Sequence, residues 1–180
     1  MGSVVLKSVA TAALAAVLMI ASAPAPARAQ DIFAGFVVAR VCLPYASRAK
    51  TFEGAIRAAR DMDFRRPAGS REALDDWQTA VELVSRDGRW RLHIEEGTVT
   101  ENGVDVYSVW CGISSNQTSA RELGQVARLI VRGNLLWTQP EGQPWRWDRR
   151  TPHPDEYAIR IDVTEEPGQR AMLAARGSYF

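Results

Sequence analysis

The chain has 180 residues, of which 46% are hydrophobic, and its 22 basic and 21 acidic side chains give a formal net charge of +1 at pH 7. A chain so close to neutral offers no electrostatic basis for nucleic acid or an anionic membrane as its main partner. Its length is that of one domain with a single hydrophobic core.

The N-terminus has the order of regions found in a cleavable secretory signal. Lys7 precedes an apolar run over residues 9–20, and Ala27-Arg28-Ala29 follows a stretch of small residues and prolines. This pattern predicts cleavage after Ala29. The alternative is an N-terminal membrane anchor, but the run of about 12 apolar residues is shorter than the roughly 20 that span a bilayer. We therefore expect residues 1–29 to be a signal peptide and residues 30–180 to form one soluble domain.

The surroundings of this signal predict the export route. No twin arginine precedes the apolar run, which favours the general secretion route, and no cysteine stands at the cleavage point to carry a lipid. Loss of Lys7 and Arg28 leaves 20 basic and 21 acidic residues, a net charge of −1. The expected location is periplasmic or secreted.

Cys42 and Cys111 are the two cysteines of the chain. An even number of cysteines in an oxidising compartment favours a disulfide bond. The bond would close a loop of about 70 residues, to which the chain-entropy model assigns about 4 kcal/mol of stability. The alternative is a pair of buried thiols that never meet.

One strand and two helices are predicted before residue 80. Residues 33–41 are apolar and β-prone and precede a proline, which predicts a buried strand. Apolar side chains recur at helical spacing over residues 51–62, which predicts an amphipathic helix. Ser70 is a suitable N-cap for a short second helix in which Leu74 and Trp77 share a face.

A β-meander is predicted in the centre of the chain. Residues 81–85 and 89–95 flank Asp87-Gly88, whose glycine suits the positive φ of a two-residue hairpin turn. Apolar and polar residues alternate over 89–95, so one face of that strand is expected to be buried and the other solvated. Asn102-Gly103 then turns the chain into a strand over residues 104–111.

The C-terminal part contains the clearest helix pattern. Ser119 and Glu122 form a capping box for a helix over residues 120–132. Residues 138–156 show no periodicity and are predicted to be irregular. Two strands close the domain, over residues 157–164 and 170–175.

These elements predict an α+β fold, with a mostly antiparallel sheet and two principal amphipathic helices on one face. The two halves of the chain also share an order of elements, namely a strand ending in a cysteine, a loop, an amphipathic helix, a break and a hairpin. This order is consistent with a degenerate internal duplication in which Cys42 and Cys111 are equivalent. Coincidence is the alternative, because few side chains are identical between the halves.

Two histidines are the candidates for acid–base or metal chemistry. His93 lies on the polar face of its predicted strand, and no second motif supplies it with a pocket or a partner. His153 lies between prolines near Asp155 and Glu156, which invites a metal site, but a further ligand would have to come from elsewhere. The common hydrolase, P-loop and dinucleotide motifs do not occur. We therefore predict no metal, no cofactor and no assigned catalytic residue.

The segment 138–156 is long for an irregular loop in a compact domain, and such loops are commonly functional or disordered. Tryptophan and arginine are enriched at contact hot spots, and both are concentrated here. The candidate binding residues are Trp145, Arg146, Trp147, Arg149 and Arg150. The alternative is that both indoles fold back onto the core of the domain, with the arginines stacked over them.

The sequence therefore favours an exported, non-catalytic binding or accessory protein whose partner is another protein or a cell-envelope polymer. The alternative is a small cell-envelope hydrolase that uses scattered acidic residues and His153. A concave pocket that gathers His153 or paired carboxylates would favour the hydrolase. A patch or groove of tryptophan and arginine would favour the binding protein.

The signal pattern makes a prediction about the mature chain. Protein recovered from the cell envelope should begin at Gln30 or within a few residues of it, because Ala27 and Ala29 supply the small residues that signal peptidase requires. Intact-mass measurement of the envelope fraction checks this. Recovery of the uncleaved chain from the cytoplasm would contradict it.

Overall fold

The structure is a computed structural model that describes most of the predicted mature domain. The described residues are 29–68, 73–74, 78–101, 103–165 and 168–180. Several predicted features lie outside them, namely signal-peptide residues 1–28, the Ser70 cap, Trp77, and the turn residues Asn102, Glu166 and Pro167. Within the described ranges, no helix is long and apolar enough to cross a membrane.

The prediction of a strand over residues 33–41 is wrong, because this segment is helical. Helix α1 (Ala29–Val37) continues into a π-helical turn (Val38–Cys42) and then into the short helix α2 (Leu43–Ala46). A short apolar run can be buried either on a strand or on a helix, and its pattern alone does not separate the two. The buried side chains recur at helical spacing: Ala34, Val37, Val38, Val41, Cys42 and Tyr45.

The two predicted amphipathic helices are confirmed. Helix α3 spans Phe52–Asp61, and the side chain of Thr51 caps its first turn. Helix α4 spans Ala120–Val131, and Ser119 and Glu122 form the predicted capping box. These bonds satisfy backbone N–H groups that the first turn of a helix leaves unpaired, which favours a helix start at these positions.

The nine described strands form one antiparallel sheet. They are β1 (Phe64–Arg65), β2 (Ala73–Leu74), β3 (Gln78–Ser85), β4 (Arg91–Glu101), β5 (Val104–Ser115), β6 (Trp137–Thr138), β7 (Arg146–Arg149), β8 (Tyr157–Thr164) and β9 (Ala171–Tyr179). Their order is β1-β3-β4-β5-β9-β8-β7-β6, and β2 also pairs with β3. The predicted meander is confirmed, and β4 pairs with β5 along its whole length.

Some short strands were not predicted. Leu74, expected in a helix, lies in β2 and pairs with Thr79 of β3. The segment 138–156, expected to be irregular, contains β7, which pairs with β8 and with β6. Strands of two to four residues are too short for a period to be read. Their hydrogen bonds depend on a partner strand that tertiary structure places beside them.

The helices pack on one face of the sheet, as predicted, and this inner face carries the hydrophobic core. Alternate side chains of a strand point to the same face, and the inward ones on the central strands are buried. They include Leu92, Ile94, Cys111, Ile113, Ile161, Val163, Leu173 and Ala175. The outer face carries many polar and charged side chains, and Trp110 and Met172 lie among them. The α+β fold with its antiparallel sheet is therefore confirmed.

The predicted disulfide bond joins the helical layer to the sheet. Cys42 lies in the π-helical turn and Cys111 in β5, with their Cα atoms 5.0 Å apart. One cysteine is thus helical and the other lies in a strand, so the two positions are not equivalent. The proposed internal duplication matched segment 33–42 with the strand that contains Cys111. The structure does not support this match, because segment 33–42 is helical and Cys111 lies in β5.

Replacing both Cys42 and Cys111 by alanine should lower the free energy of unfolding by about 4 kcal/mol, because the unfolded chain regains the freedom of a loop of about 70 residues. Urea unfolding of the mature protein measures the change. A reductant should destabilise the wild type by a similar amount and leave the double variant unaffected. Two free thiols in the denatured, unreduced wild type would contradict the bond.

Candidate functional site

Strand β7 distributes the predicted Trp–Arg cluster over both faces of the sheet. Trp147 and Arg149 point toward the helices, whereas Arg146 points to the outer face, since side chains alternate along a strand. Trp147 is 4% exposed, belongs to the hydrophobic core and lies opposite Ile161 of β8. The Nε atom of Arg146 lies 2.8 Å from a carboxylate oxygen of Asp148. The five predicted residues therefore do not share one surface.

Trp145 precedes β7 and packs on helix α4. A Cβ atom on Gly124 would lie 1.9 Å from the indole, so the glycine leaves the space that the ring occupies. The guanidinium carbon of Arg128 lies 5.7 Å from the centroid of the Trp145 ring, in the range of a cation–π contact. The indole is half-buried and fills the space between α4 and the sheet.

Arg149 and Arg150 line an open cleft on the inner side of the sheet. The cleft has a volume of about 670 Å³. Its other lining residues are Ser47, Leu136, Thr151, Pro152, Tyr157, Ile159 and Tyr179. Two of the five predicted residues therefore meet at a concave surface, which is the usual shape of a ligand site.

Stacked tyrosines form one wall of the cleft. Tyr157 lies opposite Tyr179 in the β8–β9 pair, and Tyr179 lies opposite Tyr107 in the β5–β9 pair. The rings of Tyr157 and Tyr179 have centroids 6.0 Å apart and planes at 17°. The guanidinium carbon of Arg48 lies 5.1 Å from the ring centroids of both Tyr107 and Tyr179. The Tyr179 ring is therefore in contact with both the Tyr157 ring and the guanidinium group of Arg48.

Helix α2 ends beside this wall, and two tyrosine hydroxyls hold it. The hydroxyl of Tyr179 donates a hydrogen bond to the carbonyl of Ala46 at 2.7 Å, and that of Tyr45 donates to the carboxylate of Glu96 at 2.8 Å. Burial raises the pKa of both tyrosines, so both hydroxyls stay protonated and available as donors. These bonds position Ser47, which directly follows α2, at the edge of the cleft.

The cleft is basic. Arg149 is half-buried and Arg150 is exposed, and the described lining residues include no acidic side chain. The backbone N–H of Arg150 donates to the carbonyl of Leu136 at 2.6 Å, which fixes the chain at that point. Two guanidinium groups on one concave wall suit a carboxylate or a phosphate, because arginine binds such groups through paired N–H donors.

Neither histidine lines this cleft. His153 is exposed, and its carbonyl accepts hydrogen bonds from the N–H groups of Glu156 and Tyr157, both at 3.1 Å. His93 lies on the outer face with its Nε2 atom 2.9 Å from Oε2 of Glu95. In the part of the chain that the structure describes, no group of three or more His, Cys, Asp or Glu side chains could hold a metal ion.

Sequence reasoning missed Ser47, Tyr157 and Tyr179 as residues of the site. Tyr157 begins β8 and Tyr179 ends β9. An aromatic residue at a strand end was the only feature of the sequence that could have marked them as site residues. Their juxtaposition depends on the β8–β9 register, which the local pattern does not specify.

The chain was compared with protein-family models, with curated proteins and with solved structures, and none of them matches it. Its function is therefore inferred from the side chains that its surface presents.

The substitution Gly124→Ala tests whether the Trp145 indole packs against α4 at Gly124. In the wild type the new methyl group would overlap the indole, and we expect a loss of about 1–3 kcal/mol in the free energy of unfolding. In a Trp145→Ala background the space is vacant, and the same change should be neutral or stabilising by up to about 1 kcal/mol, because alanine favours a helix over glycine. Urea unfolding of the four proteins measures the coupling. Equal effects in both backgrounds would contradict this packing.

Proposed function

We propose that this protein is an exported, non-catalytic binding protein that holds an acidic group of a cell-envelope polymer in the Arg149–Arg150 cleft. The observation that carries the proposal is a concave surface with two guanidinium groups and no acidic side chain among its described lining residues. The signal pattern over 1–29 and the Cys42–Cys111 bond support export to the periplasm or the medium.

The two arginines differ in a way that suits an extended ligand. Arg149 points inward from β7 and is half-buried, so water screens its charge less than that of an exposed group. Arg150 is exposed and can reach a second acidic group or a longer chain. The rings of Tyr157 and Tyr179 add an apolar wall against which the uncharged part of a ligand can pack.

The lining favours binding over hydrolysis. The hydroxyl of Ser47 donates a hydrogen bond to the carbonyl of Pro44 at 3.3 Å, and no histidine or carboxylate among the described lining residues could activate it. His153, on which the hydrolase alternative depends, is exposed and does not line the cleft.

Sugar-free, N-acetylated stem-peptide fragments of peptidoglycan test the proposal, because they carry free carboxylates and can be amidated chemically to give a neutral matched ligand. We expect the mature protein to bind the acidic fragments, with an affinity that falls as salt is raised. Arg149→Gln should weaken binding about 10- to 100-fold, since a hydrogen bond to a charged group contributes about 1.5–3 kcal/mol. Isothermal titration calorimetry measures both effects.

Arg146→Gln is the matched control, because Arg146 lies on the same strand but points to the opposite face and pairs with Asp148. It should bind as the wild type does. Equal binding of acidic and amidated fragments, or equal losses in Arg146→Gln and Arg149→Gln, would contradict the proposal. Thermal melting of each variant confirms that it is folded.

A further inference from the structure

The outer face of the sheet carries an indole at its centre, on the side away from the described helices. Trp110 of β5 points to this face and lies between Glu95 of β4 and Arg176 of β9, which are its direct neighbours in the strand register. A tryptophan that is only partly buried on an open sheet face is available for contact with a ligand.

Small residues make room for this indole. A Cβ atom on Gly112, two residues further along β5, would lie 2.6 Å from the Trp110 ring and 3.0 Å from the sulfur of Met172. Gly112 lies opposite Ala174 of β9, another small residue. The ring therefore lies along the strand over Gly112 instead of standing up from the sheet. We call Trp110, Gly112, Ala174 and Met172 the Trp110 platform.

Hydrogen-bonding side chains border the platform. The ring of His93 meets the Trp110 ring edge-on at 5.2 Å between centroids and 67°, and its Nε2 atom lies 2.9 Å from Glu95. On the opposite side, Nε of Arg176 donates to the hydroxyl of Ser108 at 3.1 Å. A shallow cavity of about 450 Å³ lies here, lined by His93, Glu95, Val99, Ser108, Trp110, Met172 and Arg176.

Most charges around the platform have an opposite charge beside them, although Arg176 also lies opposite Arg160 of β8 in the β8–β9 register. Glu95 interacts with both His93 and Arg176. Beyond the rim, Arg160 lies 2.8 Å from Asp162 and Arg146 lies 2.8 Å from Asp148. These four residues also face oppositely charged partners across the β7–β8 pair, Asp148 opposite Arg160 and Arg146 opposite Asp162. A highly charged polymer gains little from such a surface, whereas an uncharged ligand rich in hydroxyl groups meets donors and acceptors of both kinds.

We infer that the Trp110 platform is a second binding site and that its ligand is an uncharged glycan. The apolar face of a sugar ring would pack on the indole, and its hydroxyl groups would bond to Glu95, Arg176 and Ser108 at the rim. This site lies on the face opposite the Arg149–Arg150 cleft and does not depend on it. The two sites together would let the protein hold the neutral and the acidic parts of one polymer.

Chitohexaose, a neutral oligosaccharide, is the probe. We expect the mature protein to bind it with a dissociation constant that changes less than about twofold between low and high salt, in contrast to the acidic fragments. Trp110→Ala should weaken binding at least about tenfold, and Trp110→Phe should weaken it less because a ring remains. Phe36→Ala, which removes an exposed ring from α1 on the other side of the molecule, is the control and should leave binding unchanged.

The variants Arg149→Gln and Arg150→Gln should bind chitohexaose normally, which separates this inference from the proposed function. Absence of binding by the wild type would overturn the inference, as would wild-type affinity in a folded Trp110→Ala protein. Binding of an uncharged hexapeptide in place of the oligosaccharide would also overturn it, because the platform would then be a peptide site. Melting curves identify the folded variants. If Trp110→Ala fails to fold, the single variants Trp110→Phe and Met172→Ala take its place, and wild-type affinity in both of them would overturn the inference.

Discussion

The bond between Cys42 and Cys111 is the constraint on which the rest of the structure depends. It ties the helical segment 38–46 to β5 at a point where both cysteines are fully buried. From there α2 runs over β9, where a Cβ on Gly177 would lie 2.1 Å from the carbonyl oxygen of Ala46. Only a glycine allows that approach. Because the helical segment ends there, the corner of the inner face near β7 and β8 stays uncovered and becomes the basic cleft.

The two faces of the sheet differ in electrostatics because different elements surround them. On the inner face, Arg149 lies at the edge of a hydrophobic core, and the described lining of its cleft contains no carboxylate. On the outer face, acidic and basic side chains lie opposite one another on neighbouring strands, as Arg146 and Asp162 do. Strand β7 contributes to both faces, so Trp147 and Arg149 lie on the inner face and the Arg146–Asp148 pair lies on the outer face.

Elements whose stabilising contacts are local were predictable from the sequence. The cap at Ser119 joins a side chain to a backbone group three residues away, so the start of α4 could be predicted. Helix α3 was predicted from the spacing of its apolar residues, and its Thr51 cap appears only in the structure. The Asp87-Gly88 pair predicted a hairpin turn, because glycine readily adopts positive φ, and Gly88 has a φ of +71°. The alternation over residues 89–95 also placed His93 on the polar face of β4. Of the site, composition alone singled out Arg149 and Arg150 as candidates.

The sequence by itself determined the Ser119 capping box, the hairpin turn and the alternation of β4, because each depends on neighbouring residues. Its even cysteine count favoured a disulfide bond, but only the tertiary structure brings Cys42 and Cys111 together. Tertiary structure alone decided that residues 33–42 are helical, since burial of apolar surface is not directional and suits either element. It also decided which face of the sheet Trp147 and Arg149 occupy. Their faces follow from the pairing of β7 with β8, and the Tyr157–Tyr179 wall follows from the β8–β9 register. Such pairings join residues that are distant in the chain, and no local pattern specifies them.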